Sequence, residues 1–267
     1  QYHNPVATND SAACLTIKNT LAVTFEEEFN TVLKFGAMVY AMNECQRHTS
    51  AIGQTEKIVD LNAFPQGNAY SDVMGNTLHL MPDTLYGERW TNNTYVGGAL
   101  YKHRGRYVHY GFDGNVCVLG YKLGEFQVNG HVDAGFRLGK DSMTITAKAF
   151  FRNETPDYYL THYRSNHYQW ENTFQKTLRL HVSGEVAYPT QWINPKLNVS
   201  FENITQYIYF DTDGTPKQVD GSVQVLAADL QLNITTPWVN LDNNIVYQLS
   251  SSDKIPLPTI SLYSNLY

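Results

Sequence analysis

From Phe126 to Gly139 the chain alternates without a slip. Phe126, Val128, Gly130, Val132, Ala134, Phe136 and Leu138 share one parity; Gln127, Asn129, His131, Asp133, Gly135, Arg137 and Gly139 share the other. Successive side chains of a strand point to opposite faces, so this stretch predicts one long strand, apolar on one side and polar on the other. The same period recurs downstream. Met143, Ile145, Ala147, Ala149 and Phe151 oppose Thr144, Thr146, Lys148 and Arg152, and Leu178, Leu180, Val182 and Val186 oppose Arg179, His181, Ser183 and Glu185. Leu226, Leu230, Leu232 and Ile234 oppose Asp229, Gln231 and Asn233, and Leu241, Ile245 and Tyr247 oppose Asn240, Asp242 and Asn244. Turn signals at Arg104-Gly105, Asp113–Asn115, Gly124-Glu125 and Gly139–Ser142 separate segments. Two polar stretches interrupt the pattern, 44–93, read as a long loop or excursion, and 153–172. Only Thr24–Phe35 has helix-like spacing, and its acidic run suits a hairpin loop better. About a dozen strands and no helix predict one all-β domain over 1–267.

Alternation alone fits both a soluble β-sandwich, such as a carbohydrate-binding module, and a transmembrane β-barrel. Length separates them. A soluble strand averages about 5–6 residues, whereas a tilted membrane strand needs about 9–11. The segments at 126–138, 142–152, 177–188, 223–235 and 238–249 reach the membrane length. Aromatic residues crowd segment ends, and long polar loops alternate with tight turns, as in outer-membrane barrels. The expected fold is therefore an antiparallel transmembrane β-barrel, or part of a larger one, with long polar loops.

Charge then orients the faces. An Arg or Lys against lipid at the bilayer midplane costs about 2–4 kcal/mol. Phe126, Val128, Val132, Phe136, Leu138, Ile145, Leu178, Leu180, Val182, Leu230 and Leu232 are accordingly expected to face lipid. Gln127, Asn129, His131, Asp133, Arg137, Lys148, Arg179, His181, Glu185, Asp229, Asn240, Asp242 and Asn244 are expected to line a wet lumen, since so many polar groups cannot make a dry core.

Composition agrees. Charged residues are 16%, the net charge is −6 and mean hydropathy is −0.37, with 19 Tyr, 12 Phe and 4 Trp. No basic run exists, which excludes an electrostatic footprint for nucleic acid. No apolar run is long enough for a membrane helix, which leaves a barrel open. The three cysteines, Cys14, Cys45 and Cys117, form no zinc spacing, and Cys117 reads as a small buried hydrophobe.

Two stretches, "HYRSNHYQWENTFQKTLRLHVSGEV" (162–186) and "LDNNIVYQLSSSDKIPLPTISLYSNLY" (241–267), resemble the putative porin family of Bacteroidota outer-membrane proteins. "VGGALYKHRG", "LGYKLGEFQVNGHVDAGFRLGKD" and "YIYF" follow in the same order, so the resemblance covers roughly 95–267. It implies a barrel in the bacterial outer membrane. It also implies that this chain is a portion of a longer one, because family members carry a signal peptide and further strands.

The expected activity is passive passage of small polar solutes, with both charge signs in the lumen and no strong ion preference. The expected partners are outer-membrane lipid, small polar solutes, and a second copy or a lipoprotein. A closed barrel serving as scaffold for a lipoprotein or glycan is the alternative. No cofactor is expected. His162 and Glu171 have opposite parity and should not converge with His167 on a metal. Asp211, Asp213 and Asp220 lack the Glu that closes an EF-hand and read as a turn. Nothing in the spacing of His131, His181 and Ser183 singles out a nucleophile and base, so no enzyme is expected.

Overall fold

The computed structural model describes residues 10–29, 35–53, 69–71, 77–79, 84–105, 107–165 and 168–267. Their strands are β1 (Asp10–Phe25), β2 (Gly36–Gly53), β3 (Ala69–Ser71), β4 (Thr77–His79), β5 (Thr84–Lys102), β6 (Val108–Gly120), β7 (Phe126–Leu138) and β8 (Asp141–Glu154). A four-residue helix, α1 (Tyr158–Thr161), precedes β9 (His162–Arg164), β10 (Gln169–Glu171), β11 (Thr177–Ala187), β12 (Ile193–Thr205), β13 (Ile208–Phe210), β14 (Pro216–Gln218), β15 (Ser222–Thr235), β16 (Asn240–Ser250) and β17 (Ile260–Leu266). Eleven of the strands form one sheet in the order β1-β2-β5-β6-β7-β8-β11-β12-β15-β16-β17, and β3-β4, β9-β10 and β13-β14 are separate two-stranded pairs. The ladders from β5 to β17 are antiparallel.

Two expectations about boundaries change. The stretch 44–93 is not an excursion over its whole length: its first ten residues continue β2 and its last ten open β5. The middle of it lies largely outside the described residues. The strands run on because a strand needs backbone partners more than an apolar face, and Arg47 and Glu88 pair across them at 2.9 Å. The Asp113–Asn115 turn is likewise absent. β6 runs straight through it, and Gly114 pairs with Gly98 on one side and Val128 on the other. A Cβ on Gly114 would sit 3.1 Å from the Gln127 carbonyl, so this glycine serves close strand approach rather than a turn.

The chain divides into two compact parts, one of Gln1–Lys18, Glu44–Asn92 and Pro156–Phe174, the other of Asn19–Asn43, Asn93–Thr155 and Gln175–Tyr267. In the second part the connections are unequal. One end of the sheet has Gly139-Lys140 and the short links 188–192 and 236–239; the other has 206–221, which carries β13-β14, and 251–259. Gly139, with φ 69°, makes the tightest of these turns possible without side-chain strain.

Register carries the alternation across the sheet. Directly paired residues of an antiparallel ladder share a face. Val128 pairs with Phe151, Phe151 with Leu180, Val182 with Phe201 and Phe201 with Leu226. On the opposite face Asp133, Thr146, Glu185, Asn198 and Asp229 form an unbroken row. A one-residue slip at any ladder would reverse both faces, and none occurs from β6 to β17.

Burial is inverted relative to a water-soluble protein. Val128, Val132, Phe136, Leu180, Val182, Leu230 and Ile245 are all exposed. Among the described residues the buried apolar side chains are Tyr95, Cys117, Ile204 and Val223, and all four lie on the polar face. The sandwich alternative fails here, because a sandwich would bury the apolar parity between its sheets. Met143–Phe151, Leu178–Val186 and Leu226–Ile234 each hold nine residues. Such a stretch is about 26 Å along the strand and about 20 Å high when tilted by about 40°, close to the apolar band of an outer-membrane barrel. Between strand ends, the described apolar face of β6–β8, β11, β12 and β15–β17 carries no charge. Amides stand on this face at Asn153, Asn203 and Gln224, each within three residues of a strand end, and further in at Asn243. Asn243 Nδ2 donates to the Leu232 carbonyl at 3.3 Å and its Oδ1 accepts from Ser264 Oγ at 2.7 Å, so its amide is satisfied within the sheet.

Two apolar-face glycines give opposite expectations. A Cβ on Gly130 would lie 2.9 Å from Cδ1 of Phe112, whereas nothing lies within 4 Å of one on Gly184. Gly130→Leu should cost about 1–3 kcal/mol through displacement of the Phe112 ring. Gly184→Leu should stay within about 0.5 kcal/mol of the parent. Urea unfolding in detergent, followed by loss of the heat-modifiable folded band, measures both.

Candidate functional site

The polar face is the candidate site. All thirteen residues expected to line a lumen lie on it together. Asn129 pairs with Phe150, His131 with Lys148, and Arg137 with Ser142; His181 pairs with Glu202, and Glu185 with Asn198. Gln127 stands opposite Arg152, which stands opposite Arg179. Asp229 continues the Glu185–Asn198 row; Asn240, Asp242 and Asn244 pair with Thr235, Asn233 and Gln231. The eleven apolar positions named with them occupy the opposite face.

Its charges are organised into cross-strand groups. Lys196 pairs with Glu185 at 3.0 Å, and Asp133 accepts from Thr146 Oγ1 at 2.6 Å. Asn129 links Asp113 to Arg152: its Nδ2 donates to Asp113 Oδ2 at 2.8 Å, and its Oδ1 accepts from Arg152 Nη2 at 3.1 Å. Arg179 Nε donates to Glu202 Oε1 at 2.9 Å, while His181 Nδ1 stands 3.5 Å from Glu202 Oε2. Phe150 sits in the middle of these charges. The Arg152 guanidinium is 4.2 Å from its ring centre, and the His181 ring stacks on it at 4.9 Å with 9° between planes. These contacts hold an aromatic ring on the polar face and fix the arginine beside it.

Phe150, Arg152, Glu154 and Glu202 were absent from the expected lumen set. Parity already put Arg152 with Lys148, and it put Phe150 there too, against its apolar character. Glu202 could be found only from the β11–β12 register, which the sequence does not state.

In the first compact part, His162 and Glu171 do converge. Opposite parity along a single strand would part them, but β9 and β10 form a hairpin that pairs them directly, with His162 Nε2 4.0 Å from Glu171 Oε1. His167 lies outside the described residues. Tyr158 is stacked between His48 at 4.4 Å and His162 at 5.1 Å, and Tyr163 stacks on Trp170 at 4.6 Å. Tyr159 Oη donates toward the carbonyls of Ala13 at 2.6 Å and Thr49 at 2.9 Å, and its burial raises the phenol pKa. This aromatic group packs a loop onto β1 and β2. No cluster of three metal-binding side chains occurs among the described residues.

The Asp211–Asp220 loop is a cation-satisfied turn. Asp211 Oδ1 accepts from Thr212 N at 2.8 Å, its other oxygen bonds Lys217 Nζ, and Asp213 Oδ1 is 3.9 Å from the same ammonium.

A family model described as putative porin matches residues 1–267. No curated protein matches by sequence. Among solved structures the fold is similar to the siderophore receptor PirA from Pseudomonas aeruginosa, with TM-score 0.63 and 10% identity over 98% of this chain and 46% of that one. The copper transporter OprC superposes with TM-score 0.61 and 11% identity over 96% of this chain and 41% of that one. The siderophore receptor PirA from Acinetobacter baumannii gives TM-score 0.59 and 10% identity, over 96% and 40%. The chain thus spans under half the length of these structures. The fold they share with it is the outer-membrane β-barrel, and the bacterial outer membrane is where this sheet belongs.

The Lys217 hydrogen bond holds the Asp211 carboxyl below the usual carboxylate range. A lowered folded value means that the contribution is present above the unfolded value and lost as pH falls through the folded one. The β13-β14 hairpin should therefore resist cleavage by an acid-active protease at pH about 4 and lose that resistance below it. Asp211→Asn should abolish the pH dependence.

Proposed function

The chain belongs to the putative porin family, and from that premise we propose that it forms an outer-membrane channel for passive passage of small polar solutes. In this reading the polar face lines water and the apolar face meets lipid. The observation that carries it is the inverted burial: long apolar side chains stand exposed on one face, while ion pairs and amides populate the other. Such a face needs water on it, because buried unpaired polar groups are costly. No catalytic step forms part of this reading.

The sheet has two edges, β1 and β17, with no pairing between them among the described residues. Lipid does not tolerate an open edge. We therefore take these strands as a portion of a larger closed barrel, in keeping with the length of the structures it resembles.

Two measurements test the function. The full-length protein in planar bilayers should give stepwise, ohmic conductance; a sealed barrel that co-purifies with a lipoprotein would end the channel reading and favour the scaffold. Neighbouring positions test the orientation. Val182→Arg should cost about 2–4 kcal/mol of folding stability in lipid, while Ser183→Arg should cost under about 1 kcal/mol. Equal costs would mean that the faces have been assigned the wrong way round.

A further inference from the structure

Arg152 and Arg179 stand directly opposite one another on β8 and β11. Like charges in that position destabilise a sheet unless an anion lies between them. Two carboxylates are near, and they are used differently. Glu202 is fully engaged: Oε1 accepts two hydrogen bonds from Arg179, and Oε2 faces His181. Glu154 is not. Arg152 Nη1 is 3.9 Å from its Oε1, and Arg179 Nη1 is 3.9 Å from its Oε2. One oxygen faces each guanidinium, yet both stop about 1 Å short of charge-assisted hydrogen-bond distance. The three side chains are each about a third exposed, so solutes can reach them. Arg152 Nη2 holds Asn129, and its buried Nε has no acceptor among the described residues, so Nη1 is the donor turned toward Glu154. Phe150, on which the His181 ring stacks, lies against its guanidinium.

We propose that Arg152 and Arg179 form a binding site for the carboxylate of a small acidic solute, with Glu154 as a tethered competitor. The site rests on the channel reading for its access to solute and names the solute class that reading leaves open. A free carboxylate can approach both guanidinium groups to full hydrogen-bond distance, which the tethered one does not. Glu154 then swings aside and is repelled by the guest, so bound solute is released rather than trapped. Loose, competed binding of this kind suits passage.

The test is equilibrium binding of succinate to the full-length protein in detergent, at constant ionic strength, read by saturation-transfer NMR. Glu154→Gln removes the competitor's charge and should tighten binding about tenfold. Arg152→Lys keeps the charge but loses the planar fork, and should weaken binding about fivefold while preserving the fold. Arg152→Gln combined with Arg179→Gln should abolish it. Unchanged affinity in Glu154→Gln overturns the proposal, as does succinate binding that survives the double substitution. Conductance of the same preparations separates the two readings. A protein that conducts without binding succinate keeps the channel and ends this site; one that binds succinate but is sealed keeps the site and ends the channel.

Discussion

Hydrocarbon offers backbone amides no partner, and that constraint shapes everything else in this sheet. Every N–H and C=O inside the membrane has to be paired with another strand. The strands answer it with long, uninterrupted ladders, from β6 through β17 without a slip of face. The demand explains why β6 ignores the Asp-Gly-Asn signal. A turn at Gly114 would strand the amides of Val128 and Gly98, whereas the glycine lets the backbones approach and keeps both ladders intact.

The second consequence is electrostatic. Once one face is committed to lipid, all charge on a strand is driven to the other, and opposite charges must be found across strands rather than in a solvent shell. Arg179 with Glu202 and Lys196 with Glu185 are such pairs. Each is partly exposed, so its worth in stability is modest; its effect is to place fixed charge at known spacing along the polar face. Phe150 fits the same logic. It buries little, but stacking between Arg152 and His181 holds a guanidinium where a free arginine would sweep.

Much of this was legible in the sequence, for a physical reason. A period of two encodes face, and face is what lipid selects, so the two parities could be written down before any pairing was known. Pairing itself is not encoded locally. His162 and Glu171 looked divergent because parity was counted along one strand, and the β9-β10 hairpin reset the count. Glu202 stood close to His181 only after β12 took its register on β11. Strand length was underestimated at β2 and β5 because polar residues on both faces, as at Arg47 and Glu88, erase the period while leaving the backbone free to pair.

A last question is what holds neighbouring strands in tight lateral contact when lipid is as apolar as their side chains. Apolar burial between strands gains little in that solvent, so packing and directed hydrogen bonds have to contribute instead. The glycines show how. Phe112 lies over Gly130 on the apolar face, and Tyr40 lies over Gly97 on the polar one, with its hydroxyl accepting from Asn115 Nδ2 at 2.9 Å. In each case a ring from one strand fills the space that a missing side chain leaves on the next. Dispersion falls steeply with separation, so a ring seated on bare backbone gains contacts that a ring beside another side chain would forfeit. Gly184 is the contrasting case, with open space above it. The glycines under rings therefore act as joints between strands, and their placement on both faces lets the sheet cohere without a buried core.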